Sequence, residues 1–274
     1  MKNILLGLLL LFLFSGLLGQ DQVDPQTAGN AQQPAKLPPV NPDRPTQTAT
    51  AYAVPHKTLL IETGFLYETT DSPESNHENI YLGTTLLRYG LWERFELRLA
   101  SYYGITRDEQ KEPVSDTTIS GFGPLTAGFK VHVVKEKGIR PKIAIIGEIT
   151  MRHLGSSTYR PTYSYPVAKI AASHTLTSDL SLIYNAGFAY NGENADGFFI
   201  YSIMLSYSIT PWCAVFGEAY GSFDHGNLPN HRIDGGFTFP VRNNLQLDIS
   251  GGTGFDRTID KSFISTGISW RIPR

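Results

Sequence analysis

Residues 263–272 read Phe-Ile-Ser-Thr-Gly-Ile-Ser-Trp-Arg-Ile, so Ile264, Thr266, Ile268, Trp270 and Ile272 alternate with Ser265, Gly267, Ser269 and Arg271. Successive side chains of a β-strand point to opposite faces, and a period of two therefore marks a strand with one apolar and one polar face. The charge sits on the face opposite the apolar stripe. A soluble sandwich also alternates, but its outer face would carry the charges, whereas this pattern suits a strand with hydrocarbon on one side and water on the other.

Working back from this strand, the same alternation runs through most of the chain from Lys57 onward. Outward Leu59, Ile61, Phe65 and Tyr67 oppose Glu62, Gly64 and Glu68, and outward Leu97 and Leu99 oppose Glu96 and Arg98. Leu125, Ala127, Phe129, Val131 and Val133 oppose Thr126, Gly128, Lys130 and His132. The pattern predicts strands over 57–68, 78–89, 94–104, 121–134, 142–152, 164–176, 180–191, 197–209, 212–222, 231–239, 245–252 and 262–272. Longer connections (69–77, 105–120, 153–163, 192–196, 223–230 and 253–261) alternate with short ones around Gly90, Gly138, Ser178, Pro211 and Asn243. The predicted fold is all-β: a transmembrane antiparallel β-barrel of about 12 strands, with short periplasmic turns and longer extracellular loops. An even strand count leaves both termini on the periplasmic side. Tyr and Trp should gather at the two water interfaces. This strand order puts Phe65, Tyr67, Tyr81, Tyr103, Tyr190 and Phe199 near the long-loop rim, and Tyr89, Phe95, Tyr207, Phe239 and Trp270 near the other.

The N-terminus divides into two further regions. Lys2, an apolar run from Ile4 to Phe14 and small residues at Ser15, Gly16 and Gly19 read as a signal peptide over residues 1–19, its apolar core being too short for a helical span. Residues 20–56 carry prolines at 25, 34, 38, 39, 42, 45 and 55 among Gln, Thr, Asn and Ala. That composition cannot build a core and predicts a disordered periplasmic tail, dispensable for assembly of the barrel in residues 57–274. Alternatives for the tail are tethering of a periplasmic partner or partial plugging of a pore. The single Cys213 excludes an intramolecular disulfide, and a net charge of −2 argues against a nucleic-acid partner.

The inward face collects charges of both signs: Glu62, Arg88, Glu96, Arg98, Lys130, Glu148, Glu218, Asp234, Asp248 and Arg271, with Lys142 and Lys169 beside them. Facing lipid at mid-membrane, each would cost about 2–4 kcal/mol. Facing inward they either line a constriction or pair across the lumen and fill it. No catalytic, metal or cofactor site is expected. His77, His153, His225 and His231 fall in or beside loops without ligand spacing. Some outer-membrane barrels are lipid hydrolases, but Ser173 and His174 are adjacent on a strand, point to opposite faces and cannot act as a nucleophile–base pair. Gly121-Phe122-Gly123 and Gly251-Gly252-Thr253-Gly254 lack the residues of nucleotide loops and read as glycines that ease strand curvature and loop entry.

Arg88-Tyr89-Gly90-Leu91 running into Arg94-Phe95-Glu96-Leu97-Arg98 resembles the opening hairpin of the outer-membrane β-barrel family named for the meta-pathway of phenol degradation, a generic transporter family. Gly121-Phe122-Gly123 with Gly128-Phe129-Lys130, Tyr184-Asn185-Ala186-Gly187, Phe216-Gly217-Glu218, Asp234 with Gly236, Leu247-Asp248 with Gly252, and Gly267-Ile268-Ser269 resemble its later motifs in order. Pro124 stands where the family usually has Asp, Met151-Arg152-His153 replaces a Pro-Thr-Gly, and the chain ends Ile272-Pro273-Arg274 instead of on an aromatic. The resemblance covers Lys57 to the end and implies passage of aromatic or other hydrophobic compounds. Together these features predict a bacterial outer-membrane transporter or pore for small-molecule solutes, inserted into the lipid bilayer by the barrel-assembly machinery. The alternative is a non-conducting barrel whose charges seal the lumen.

Overall fold

The computed structural model describes residues 37–111, 114–223, 230–255 and 260–273. Among them are thirteen strand segments: β1 (Leu59–Asp71), β2 (Ser75–Trp92), β3 (Phe95–Gln110), β4 (Ser115–Phe122), β5 (Leu125–Val134), β6 (Lys142–Met151), β7 (Tyr165–Thr175), β8 (Leu180–Tyr190), β9 (Gly197–Thr210), β10 (Cys213–Phe223), β11 (Asn230–Arg242), β12 (Leu245–Gly254) and β13 (Asp260–Ile272). β3 pairs with β5 from Phe95 to Ala100 and with β4 from Tyr103 to Gln110, so β4 and β5 are two halves of one stave. Twelve antiparallel staves result, and pairing of β1 with β13 closes them into a barrel. Closure joins the first strand to the last, so backbone groups at membrane depth are satisfied within the wall.

The break between β4 and β5 falls at Gly123-Pro124, where proline has no N–H to give to a ladder. The β6–β7 loop repairs the exposed edge. Leu125 N donates to Leu154 O at 2.7 Å, Ser156 N to Phe122 O at 2.9 Å, and Phe122 N to Ser156 Oγ at 2.9 Å. A short 3₁₀ turn in this loop, Ser157–Tyr159, then leans into the barrel mouth, its Tyr159 packing edge-on to Tyr102.

Alternation sorts the wall as expected. On β13, Ile264, Ile268, Trp270 and Ile272 are exposed on the outside while Ser265, Ser269 and Arg271 are buried inside. Two details differ from the sequence expectation. The connections predicted at 69–77 and 105–120 are largely strand, because β1–β4 continue beyond the apolar belt as polar hairpins. There Lys111 pairs with Asp71 at 2.7 Å and Tyr67 with Glu78 at 3.1 Å. A strand standing in water needs no apolar face, so the apolar criterion ended these strands too early. Tyr81, expected in the outer aromatic belt, instead packs against inward Tyr102 with ring centroids 5.0 Å apart. The β-bulge between Leu82 and Thr85, with Gly83 at φ 57°, reverses the phase of β2 above it.

The inside–outside assignment has a direct consequence at Leu97, 44% exposed on the outer face between buried Glu96 and Arg98. Leu97→Arg is expected to reduce the yield of folded barrel by the equivalent of about 2–4 kcal/mol if the site lies near mid-membrane. Comparison of unboiled and boiled protein on a denaturing gel checks this.

Candidate functional site

Residues 37–56 run inside the barrel. The sequence predicts disorder here, and the segment indeed lacks the periodicity to join the sheet, but inward wall side chains satisfy its backbone. Val40 N donates to Asn243 O (2.9 Å) and Arg271 donates to Pro38 O (2.7 Å) near the short-turn rim. Asp43 N and Arg44 N donate to Glu62 (3.0 and 2.9 Å). Gln47 N and Thr48 N share the two oxygens of Glu218, each at 2.8 Å. Ala49 exchanges two hydrogen bonds with the Asn185 amide, Ala51 N donates to Ser173 Oγ (3.1 Å) and Val54 N to Glu96 (2.8 Å). A polar tail thus docks by offering N–H donors to wall carboxylates, bonds to charged groups being stronger than neutral ones. Of the alternatives considered for the tail, plugging matches this geometry.

Asp43 is the centre of the attachment. Its carboxylate accepts from Lys130 (2.9 and 3.0 Å) and Arg98 (2.8 Å), lies 3.5 Å from Arg88, and also accepts from Thr50 N at 3.0 Å. Burial pushes this carboxyl up, but the charges of Arg88, Lys130 and Arg98 outweigh it and hold it well below the usual carboxylate range. Around it the wall forms its own network. Arg88 donates to both oxygens of Glu96 (2.8 and 3.0 Å) and to Glu62 (3.0 Å), while Arg98 bridges Glu96 (3.0 Å) and Glu148 (2.8 Å). Arg88 also reaches the carbonyls of Tyr52 (2.9 Å) and Asn41 (3.3 Å), so it ties wall and plug together.

Arg44 makes a second attachment, to Asp248 at 3.0 Å, Ser265 at 3.1 Å and Thr84 at 3.1 Å. It fits because Gly64 and Gly267 are opposite each other on β1 and β13. A Cβ at Gly267 would lie 2.4 Å from the Arg44 guanidinium, and one at Gly64 2.6 Å from it. Tyr52 adds a third contact, with Lys142 Nζ 3.4 Å from its ring centroid.

All ten inward candidates face the lumen. Arg88, Glu96, Arg98, Lys130 and Glu148 meet in one network on the β2–β6 side, with Glu62 on β1 bound to Arg88; Asp248 takes Arg44, Arg271 takes the plug carbonyl, and Glu218 takes two plug amides. Asp234 has no partner at either oxygen among the described residues. The network is drier than a line of pore-facing charges would be: Glu62, Arg88, Glu96 and Lys130 are 0% exposed, because the plug covers them. Asp43, Arg44 and the Gln47–Thr48 amides escaped the sequence reading. The available signal was Asp43-Arg44, a charged dipeptide in an otherwise nearly uncharged stretch, together with inward glycines at 64 and 267.

Space remains on both sides: a cavity of about 630 Å³ lies among the extended hairpins of β1–β4, with His77, Glu78, Arg107 and Asp108 in its lining, one of about 230 Å³ lies beside Thr84 and Tyr102, and two more lie on the side opposite the network. A cavity of about 290 Å³ opens toward the long-loop rim, lined by Gln47, Lys169, Asn185, Ser202, Tyr220 and Arg232. Another of about 300 Å³ opens toward the short-turn rim, with Thr46, Ile183, Met204, Phe216, Thr238 and Gln246 among its walls. Ser173 and His174 are divided as alternation requires, the hydroxyl bound to the plug and the imidazole 3.4 Å from Tyr184 Oη. No cluster of three or more metal-ligating groups occurs among the described residues, and His225 lies outside them.

An outer membrane channel from Pseudomonas putida F1 shares the fold at a TM-score of 0.64 and 12% identity, over 83% of this chain and 100% of that one. The translocator domain of the autotransporter NalP from Neisseria meningitidis shares it at 0.55 and 11% identity, over 78% and 87%. No curated protein matches the sequence. The family described as "Putative MetA-pathway of phenol degradation" matches residues 42–272, from inside the plug to the last strand, and the chain belongs to that family.

Proposed function

We propose that this protein is an outer-membrane channel for small solutes, closed at rest by its own residues 37–56. The observation that carries this is how the plug is held. It contributes no strand to the sheet and is attached mainly through wall side chains, its backbone pairing being confined to Val40 with Asn243 and a bridge of His56 with Gly90, so it can leave without breaking the barrel. The signal sequence and the apolar outer wall support export to the outer membrane through the barrel-assembly machinery. The cavities against β7–β12 mark the side along which a path would open.

Ile183, Met204 and Phe216 form a buried apolar cluster on the inner wall, an unusual composition for a lumen lined mostly by Ser, Thr and charged groups. With the family's description, this favours small solutes carrying an aromatic or other apolar group. Liposome swelling tests the proposal. Proteoliposomes of a variant lacking residues 20–54 should admit phenylalanine several-fold faster than those of the full chain, and Phe216→Ser in that variant should erode the preference for phenylalanine over glycine. Pro55 and His56 are retained because Thr58 N and Oγ1 bond Pro55 O beside the Gly90 turn. A plugless barrel that swells no faster than protein-free liposomes contradicts the proposal. The competing function, a sealed structural barrel, draws its support from the dry ion-pair network and predicts that null result.

A further inference from the structure

Between the two cavities, Glu218 on β10 and Asp234 on β11 are register partners on the inner face. Glu218 is occupied by two plug amides, but Asp234, only 8% exposed, has no hydrogen-bond partner at either carboxylate oxygen among the described residues. On the next strand Ser250, 3% exposed, has an equally unpartnered Oγ. Opposite Asp234 stands Gly252, where the strands pack so closely that a Cβ would fall 2.5 Å from Asp234 Cβ. Of the neighbouring cations, Arg232, two residues along β11, binds Glu68 at 3.1 Å, Arg44 binds Asp248, and Lys169, on β7 and lining the upper cavity, lies within electrostatic reach of Glu218 but forms no ion pair with it.

A buried carboxylate with no counter-charge is unstable, and it takes either a proton or a cation. Among the described residues no donor reaches either oxygen of Asp234, so both are open to an incoming cation. The Asp234 carboxylate, the neighbouring Glu218 carboxylate and the free Ser250 hydroxyl are hard oxygen donors. We propose that Asp234, with Glu218 and Ser250, forms a binding site for a single positive charge, either a small monovalent metal ion or the primary ammonium group of a solute. Tyr220 and Arg232, which line the upper cavity, are two residues along β10 and β11 from Glu218 and Asp234. The site exists in the plugged barrel, so the inference goes beyond the transport proposal and does not depend on an open channel.

Thermal unfolding of the full chain in neutral detergent, followed by circular dichroism at constant ionic strength, tests it. Potassium or methylammonium chloride should raise the midpoint by several degrees over N-methylglucamine chloride, saturably, because a ligand that binds only the folded state stabilises it. A response to potassium alone identifies an inorganic-ion site, and one to methylammonium identifies an ammonium site; either supports the proposal. Asp234→Asn should fold and lose the response, and Ser250→Ala should shift it to higher concentration. Equal midpoints in all three salts, or an undiminished response in Asp234→Asn, would overturn it. Because no solute flux is measured, failure here is separable from failure of the channel proposal.

Discussion

Arg88→Met is expected to lower the stability of the folded barrel by about 3–5 kcal/mol, the usual cost of removing one partner from a buried ion pair. Arg88 is 0% exposed and bonds Glu96 twice and Glu62 once, together with two plug carbonyls. Without it the carboxylates of Glu62 and Glu96 stay buried while losing their principal counter-ion. Arg88→Lys should be intermediate to severe, because an ammonium is a point charge and cannot reproduce the forked contact with Glu96. The thermal midpoint of the heat-modifiable band on a gel reads the loss. A midpoint equal to that of the wild type would mean that these carboxylates are not buried as described.

Asp43→Ala should act on the plug and leave the barrel standing. Without Asp43 the wall still has Arg88, Arg98 and Lys130 facing Glu62, Glu96 and Glu148, three charges of each sign. Lys130, however, keeps only Glu96 as an ionic partner, at 3.8 Å, and the plug loses its ion pairs with Arg88, Arg98 and Lys130, keeping with them only the carbonyl contacts of Asn41 and Tyr52. A loss of about 3–5 kcal/mol in plug attachment follows. The conductance of the variant in a planar bilayer should rise well above that of the wild type while gel mobility stays that of a folded barrel. The pH dependence has a defined sign. A carboxyl held below its unfolded pKa contributes stability that is fully present above the unfolded value and lost as pH falls through the folded one. The contribution of Asp43 to plug attachment should therefore be undiminished from neutral to mildly acidic pH and be lost only in strong acid.

The barrel was legible because lipid enforces a rule along each strand. Alternation at Ile264–Ile272 or Leu97–Leu99 fixes which side is wet, and one slip would put Arg98 or Arg271 into hydrocarbon. The proximity of Arg88, Glu96 and Arg98 also followed from one short turn at Gly90. The plug was not legible in the same way. Residues 37–56 have no period, because their amides, singly or in adjacent pairs, are matched to Glu62, Glu218, Asn185, Ser173 and Glu96, drawn from five separate strands. Proline-rich polar composition is shared by tails that stay free and by tails that find such partners. Strand ends failed for a related reason: the hairpins of β1–β4 above the membrane are held by polar pairs such as Lys111 with Asp71, which leave no apolar signature.

Single-channel recording in a planar bilayer bears most directly on the central claim that residues 37–56 close a lumen which the barrel itself leaves open. The full chain should show little steady current, with any openings brief, whereas the same barrel lacking residues 20–54 should conduct continuously with a larger unitary step. If the shortened protein folds, as judged by its unboiled gel mobility, and still conducts nothing, the lumen is sealed by the wall and the channel account is contradicted.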